Sequence, residues 1–199
     1  MPELYYLEKN VLSLEECETL ANYLEDNSSE DHRPHYRHSG MLWQDIARNI
    51  APKEHMLVAK ALKLADKTFK ENYEFTYNRF ELKRLFGNMM YEGAYNYAHD
   101  DDGDVYPGKK DIEEHYSCIL MLNSDYTGGE LFFEHHNKEV RLEAGDLIMF
   151  RGNAANLHGV REVLSGKRVN VVIFFRNFDL PEIYQDDIWG KFLESETDD

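Results

Sequence analysis

The sequence predicts a mainly β protein with helices at its N-terminal end. Helical periodicity is confined to about the first 75 residues. Beyond them, short segments rich in aromatic and β-branched residues follow one another, separated by Gly, Asn and Asp. No helical pattern lies between these segments, which points to a sandwich or barrel rather than an alternating β-α sheet.

The elements can be justified in order. Ser13 with Glu16 forms a capping box, and Leu14, Cys17, Leu20, Ala21 and Leu24 recur at helical spacing behind it. A second helix opens at Pro52 and sets Val58, Ala61, Leu62, Ala65 and Phe69 on one face. Between the two, "NSSEDHRPHYRHSG" (27–40) is polar and rich in helix breakers, so His32, His35 and His38 are read as loop residues. The strands follow as "NRFELKRLF", "NYAHD", "HYSCILMLN", "GGELFFE", "KEVRL", "GDLIMF" and "RVNVVIFFRNF". In "GGELFFE" the glycines permit a tight bend, and Leu131 and Phe133 can pack inward. His135 and His136 fall where a hairpin should turn, so exposure is expected for them. In the tail, Tyr184, Ile188 and Phe192 at four-residue steps suggest a short docked helix.

At 199 residues the chain is read as one domain, with a helical part over about 1–75, a β core over about 76–178 and an acidic tail over 179–199. Formal net charge is −16, of which the tail contributes −7, and a surface this acidic repels phosphate backbones. Nucleic acid is therefore excluded as a partner. Cys17 and Cys118 each sit in an apolar pattern and read as reduced core residues. The start "MPELYYLEKN" lacks signal-peptide regions and no apolar run reaches membrane-spanning length, so a cytoplasmic protein without membrane contact is expected.

The stretch "NYAHDDDGDVY" (96–106) crowds like charges in a way that a cation would relieve. Strand alternation turns His99 and Asp101 the same way and Asp100 away. A His-x-Asp pair supplies two of the three ligands of a two-His-one-carboxylate triad, which leaves open positions on iron. "DDDGD" lacks the alternating register and bidentate glutamate of a calcium loop. The third ligand should be a histidine on a later strand, and His158 in "NLHGVREV" follows the apolar strand "GDLIMF" and its turn. Ten residues on, Arg168 opens "RVNVVIFF". A lone inward arginine in an apolar barrel needs an anionic partner, such as a dicarboxylate held bidentately. Lys167 faces the other way and suits a surface ion pair.

The order His99-x-Asp101, "GGELFFE", "AGDLIMF", His158 and then a basic residue ten on resembles the Fe(II)/2-oxoglutarate-dependent dioxygenases, in particular their prolyl 4-hydroxylase-like branch. The resemblance covers roughly residues 76–178. It implies a double-stranded β-helix core, a jelly-roll of the cupin kind. It implies Fe(II) on His99, Asp101 and His158, with 2-oxoglutarate as cosubstrate on Arg168, O2 as co-reactant and ascorbate as a candidate reductant. Tyr91, in "MMYEGAYNYAH", resembles the tyrosine that bonds the same cosubstrate carboxylate, at a shorter spacing to the histidine. Met121 stands where related hydroxylases place a polar aromatic.

The resemblance thus implies a hydroxylase of C–H bonds, with a prolyl residue in a peptide or protein as the first expected substrate. A free amino acid or other small molecule is the alternative, because the fold carries many specificities. A non-catalytic metal- or ligand-binding β-helix is the contrasting class; an intact triad with Arg168 argues against it. The acidic loop after Asp101, with Tyr106 and Pro107, is expected at the mouth of the barrel, where substrates are selected.

Overall fold

The computed structural model describes residues 3–27, 41–44, 52–101 and 113–178. The polar loop 28–40, most of the acidic loop after Asp101 and the tail 179–199 lie outside the described residues, and with them His32, His35, His38, Tyr106, Pro107 and the expected tail helix.

Twelve strands and two helices run in the order β1 (Tyr6–Glu8), α1 (Leu14–Asn27), β2 (Met41–Gln44), α2 (Pro52–Asn72), β3 (Arg79–Tyr91), β4 (Asn96–His99), β5 (Glu113–Met121), β6 (Thr127–Gly128), β7 (Leu131–Phe133), β8 (Lys138–Val140), β9 (Leu147–Arg151), β10 (His158–Val160), β11 (Val163–Ser165) and β12 (Lys167–Phe178). The major sheet has the order β1-β9-β5-β12-β3-β2 and the minor sheet the order β4-β10-β7-β8, with β11 and β6 forming a small third pair. All pairings are antiparallel. This is a double-stranded β-helix with helices outside it. The short strands β1 and β2 extend the major sheet within a region read from sequence as helical and loop.

The helices form where the sequence predicts. Ser13 N–H donates to Glu16 and Glu16 N–H to Ser13, closing the capping box at the head of α1. Cys17, Leu20 and Leu24 are buried, whereas Leu14, expected on the same stripe, is 74% exposed at the first helical position. On α2, Val58, Ala61, Leu62, Ala65 and Phe69 are all buried. These faces pack on the outer side of the major sheet, against Leu85 and Met89 of β3, Tyr116, Cys118 and Leu120 of β5, Leu147 and Met149 of β9, and Val169, Val171, Ile173 and Phe175 of β12. Both cysteines are buried and free.

The alternate residues of the same strands face the other way. Ile119 and Met121 of β5 and Ile148 and Phe150 of β9 meet Leu131 and Phe133 of β7 and Val140 of β8 from the minor sheet. Strands β5, β9 and β12 of the major sheet are thus buried on both faces, one under helices and one inside the barrel. Arg168 and Asn170 share the inner face of β12, opposite Met90 and Asn88 of β3.

Candidate metal and cosubstrate site

His99, Asp101 and His158 come together inside the barrel. Their ligand atoms all lie within 4.8 Å of one another, close enough for one cation to bridge. The sheet register builds the cluster: His158 is the direct cross-strand partner of His99 on one side and of Phe133 on the other. Asp101 follows the end of β4 and approaches both imidazoles, at 3.5 Å from His99 Nε2 and 3.4 Å from His158 Nε2.

The tautomers are set by backbone acceptors. His99 Nδ1 lies 2.8 Å from the Tyr97 carbonyl and His158 Nδ1 3.1 Å from the Asn156 carbonyl. A carbonyl can only accept, so each Nδ1 carries a proton, and in the neutral ring each Nε2 presents a lone pair to the shared centre. Ser117 Oγ donates to Asp101 Oδ2 and holds the carboxylate from β5. Phe150 packs edge-on to His158 with ring centroids 4.6 Å apart, and Phe133, edge-on to Phe150 at 5.1 Å, extends the same apolar wall.

The charges respond to this crowding. For Asp101, burial favours the neutral acid, but the hydrogen bond to His99, the charges of His158 and His99 and the Ser117 hydroxyl outweigh it and hold the carboxyl below its ordinary value. Burial pushes His158 below the usual imidazole value, against the pull of Asp101. Burial acts the same way on His99, yet Asp101's hydrogen bond and charge prevail and raise it. An ionised carboxylate among buried imidazoles is the donor set of a divalent metal, and two nitrogens with one oxygen fit Fe(II).

Arg168 occupies the inner face of β12 and is 1% exposed. Its Nε donates to the Gly129 carbonyl at 3.1 Å and its Nη1 to Asn170 Oδ1 at 2.5 Å, with Met90 Sδ at 3.8 Å. Among the described residues its Nη2 has no partner, nor does the buried Nδ2 of Asn170 on the same face. Among the described residues, no carboxylate forms an ion pair with this guanidinium. A buried charge without a counter-ion is costly by several kcal/mol, and two orphaned donors side by side suit a carboxylate ligand. Gly129 makes room for this group: at φ +66° it adopts a left-handed conformation, and a Cβ there would stand 3.1 Å from Arg168 Cδ.

Tyr91 is placed differently from the other four. It is 37% exposed and pairs with Lys167, whereas Arg168 pairs with Met90. Tyr91 and Arg168 therefore lie on opposite faces of the β12–β3 ladder. The hydroxyl beside the guanidinium is that of Tyr126, which is buried and also contacts Met121 Sδ at 3.8 Å and the Leu142 carbonyl at 3.4 Å. Sequence reasoning missed Tyr126, Ser117 and Asn170. Lys167 pairs with Glu25 of α1, on the helix side. His135 and His136 lie in an exposed 3-10 turn, with His136 Nε2 3.1 Å from Asn156 Oδ1, apart from the metal-ligating group.

Residues 86–176 match the family model described as the 2OG-Fe(II) oxygenase superfamily. The matched stretch runs from β3 to β12, so the β core of this chain is similar to that superfamily. Among curated relatives, prolyl 3-hydroxylase 1 of Gallus gallus is 29% identical over 93 residues, 42% of this chain and 13% of that protein. Prolyl 3-hydroxylase 3 of Mus musculus is 38% identical over 64 residues, 30% of this chain and 9% of that protein. The chain thus spans only a small part of the length of the curated relatives it matches. Solved structures share the fold of this chain. The viral collagen prolyl hydroxylase of Paramecium Bursaria Chlorella virus-1, in its 2OG complex, superposes with a TM-score of 0.70 at 19% identity, over 89% of this chain and 97% of that one. A Pseudomonas putida prolyl-4-hydroxylase does so with a TM-score of 0.67 at 17% identity, over 88% and 94%. That superfamily implies Fe(II) and 2-oxoglutarate, and the triad and the free Nη2 of Arg168 fit both. Among the described residues, no helix is long and apolar enough to cross a membrane.

Proposed function

We propose that this chain is an Fe(II)- and 2-oxoglutarate-dependent hydroxylase acting on a prolyl residue of a peptide or protein. The observation that carries the reaction class is the presence, in one barrel, of a two-His-one-carboxylate cluster and a buried guanidinium with an orphaned donor. The prolyl substrate rests on the curated relatives, which are named prolyl 3-hydroxylases. We also read the chain as a single cytoplasmic domain, in keeping with two buried free thiols.

His99, Asp101 and His158 would hold the metal through Nε2, a carboxylate oxygen and Nε2. Bound Fe(II), with 2-oxoglutarate and O2, supplies the oxidising chemistry: one oxygen atom enters a substrate C–H bond as hydroxyl, the other enters succinate, and CO2 leaves. The chain's own residues do the positioning. Arg168 would offer its charge and its free Nη2 to the distal carboxylate of the cosubstrate, with Tyr126 and the free Nδ2 of Asn170 beside it. Ser117 keeps the Asp101 carboxylate turned inward. Phe133 and Phe150 keep water from the His158 side.

The test is a mass-spectrometric screen for products heavier by one oxygen, using proline-containing peptides and free amino acids with Fe(II) and 2-oxoglutarate. Prolyl peptides should gain the mass and free amino acids should not; the reverse result would move the substrate to small molecules. Asp101→Ala should abolish succinate formation, while Asp100→Ala retains most of it. Equal loss in Asp100→Ala would displace the ligand assignment.

A further inference from the structure

Asp101 is the one ligand not seated in a strand, and its backbone is held by a closed ring of hydrogen bonds. Its N–H donates to the Gly152 carbonyl at 2.9 Å, and the Gly152 N–H donates to the His115 carbonyl at 2.9 Å. The His115 imidazole completes the ring, its Nδ1 standing 2.7 Å from the Asp101 carbonyl. That carbonyl only accepts, so Nδ1 carries the proton. The other nitrogen, Nε2, lies 2.8 Å from Lys83 Nζ, an ammonium that only donates. Lys83 and the Asp101 carbonyl therefore select the same tautomer from opposite ends of the ring.

The ring also adjoins the carboxylate. His115 and Ser117 lie two apart on β5 and so share its inner face, His115 at the backbone of Asp101 and Ser117 at its Oδ2. A Cβ at position 152 would come within 2.5 Å of Asp101 Oδ2 and 2.7 Å of Ser117 Oγ, so the close approach needs glycine. His115 is 1% exposed, and a buried imidazole is more often a satisfied core residue than a functional one. Here both nitrogens are committed to one line, from a lysine to the peptide carbonyl of the carboxylate ligand.

We propose that His115, aligned by Lys83, is a positioning residue for the metal, setting the Asp101 backbone so that its carboxylate meets His99 and His158. The inference rests on the metal reading above. Neither His115 nor Lys83 touches the metal; partners that orient ligands in this way change metal affinity by about 10–100-fold when removed.

The experiment is a Co(II) titration of the metal-free full chain, followed by calorimetry and by the cobalt visible bands, with the melting temperature of each metal-free variant measured alongside. His115→Phe keeps a ring but loses the donor, and should weaken Co(II) binding about tenfold or more with altered bands. His115→Asn keeps a donor where Nδ1 stood and should restore most of the affinity. Lys83→Met should give a smaller loss in the same direction, and it carries the test if both His115 variants fail to fold. A shift in melting temperature with unchanged Co(II) affinity would overturn the proposal, as would equal losses in the Phe and Asn variants or an unaffected Lys83→Met. Failure of the wild type to bind Co(II) would overturn the metal assignment itself, which separates the two claims.

Discussion

The two faces of β12 differ in a way that separates stability from chemistry. Outward, Val169, Val171, Ile173 and Phe175 are buried in the cluster shared with α1 and α2. Inward, Arg168 and Asn170 are as deeply buried, yet each leaves a donor without a partner. The outer face is complete as it stands. Among the described residues the inner face leaves these donors unsatisfied, and a chain accepts such a local cost where a site must recognise something.

The largest effect should come from the outer face. Phe175 stacks on Phe80 at 5.2 Å and meets Phe69 edge-on at 5.8 Å. Phe175→Ala should cost about 3–5 kcal/mol of stability in urea denaturation, while the folded fraction binds 2-oxoglutarate as wild type does. A loss of cosubstrate affinity in that fraction would break the separation. Next comes Arg168→Ala, which deletes a desolvated charged contact worth about 2–5 kcal/mol, hence about 30-fold or more in 2-oxoglutarate affinity. Arg168→Lys should keep part of it, retaining charge but not the fork. The same site sharpens the contrast in stability: Arg168→Met should leave the ligand-free protein no less stable, with a gain on the order of 1 kcal/mol, because an unpaired buried charge is gone. The smallest effect belongs to Lys167→Ala, one residue away on the helix side, which should stay within about 0.5 kcal/mol and leave 2-oxoglutarate binding unchanged.

The same contrast explains what the sequence revealed. The helices were legible because Ser13, Glu16 and Pro52 mark their starts and the apolar stripes have helical spacing. Strand β1 was not: three residues on the edge of β9 carry too little pattern to distinguish from a loop. His99, Asp101, His158 and Arg168 were legible from alternation and order along the chain. Ser117 and His115 were not, because β5 is buried on both faces, and its alternation does not say which face holds the site. Tyr126 lies between strands, so only closure of the barrel brings it to Arg168. Tyr91 shows the limit of spacing alone: a shift of one residue along β3 puts Met90, rather than Tyr91, on the inner face.

The most direct test is an anaerobic titration of 2-oxoglutarate into the full chain loaded with Fe(II), reading the weak visible charge-transfer band of the chelate. The band should appear in wild type only when both metal and cosubstrate are present, should be absent in Asp101→Ala, and should require about 30-fold or more cosubstrate in Arg168→Ala. No band in wild type, or the same half-saturation in wild type and Arg168→Ala, would contradict the assignment of the inner face as the metal and cosubstrate site.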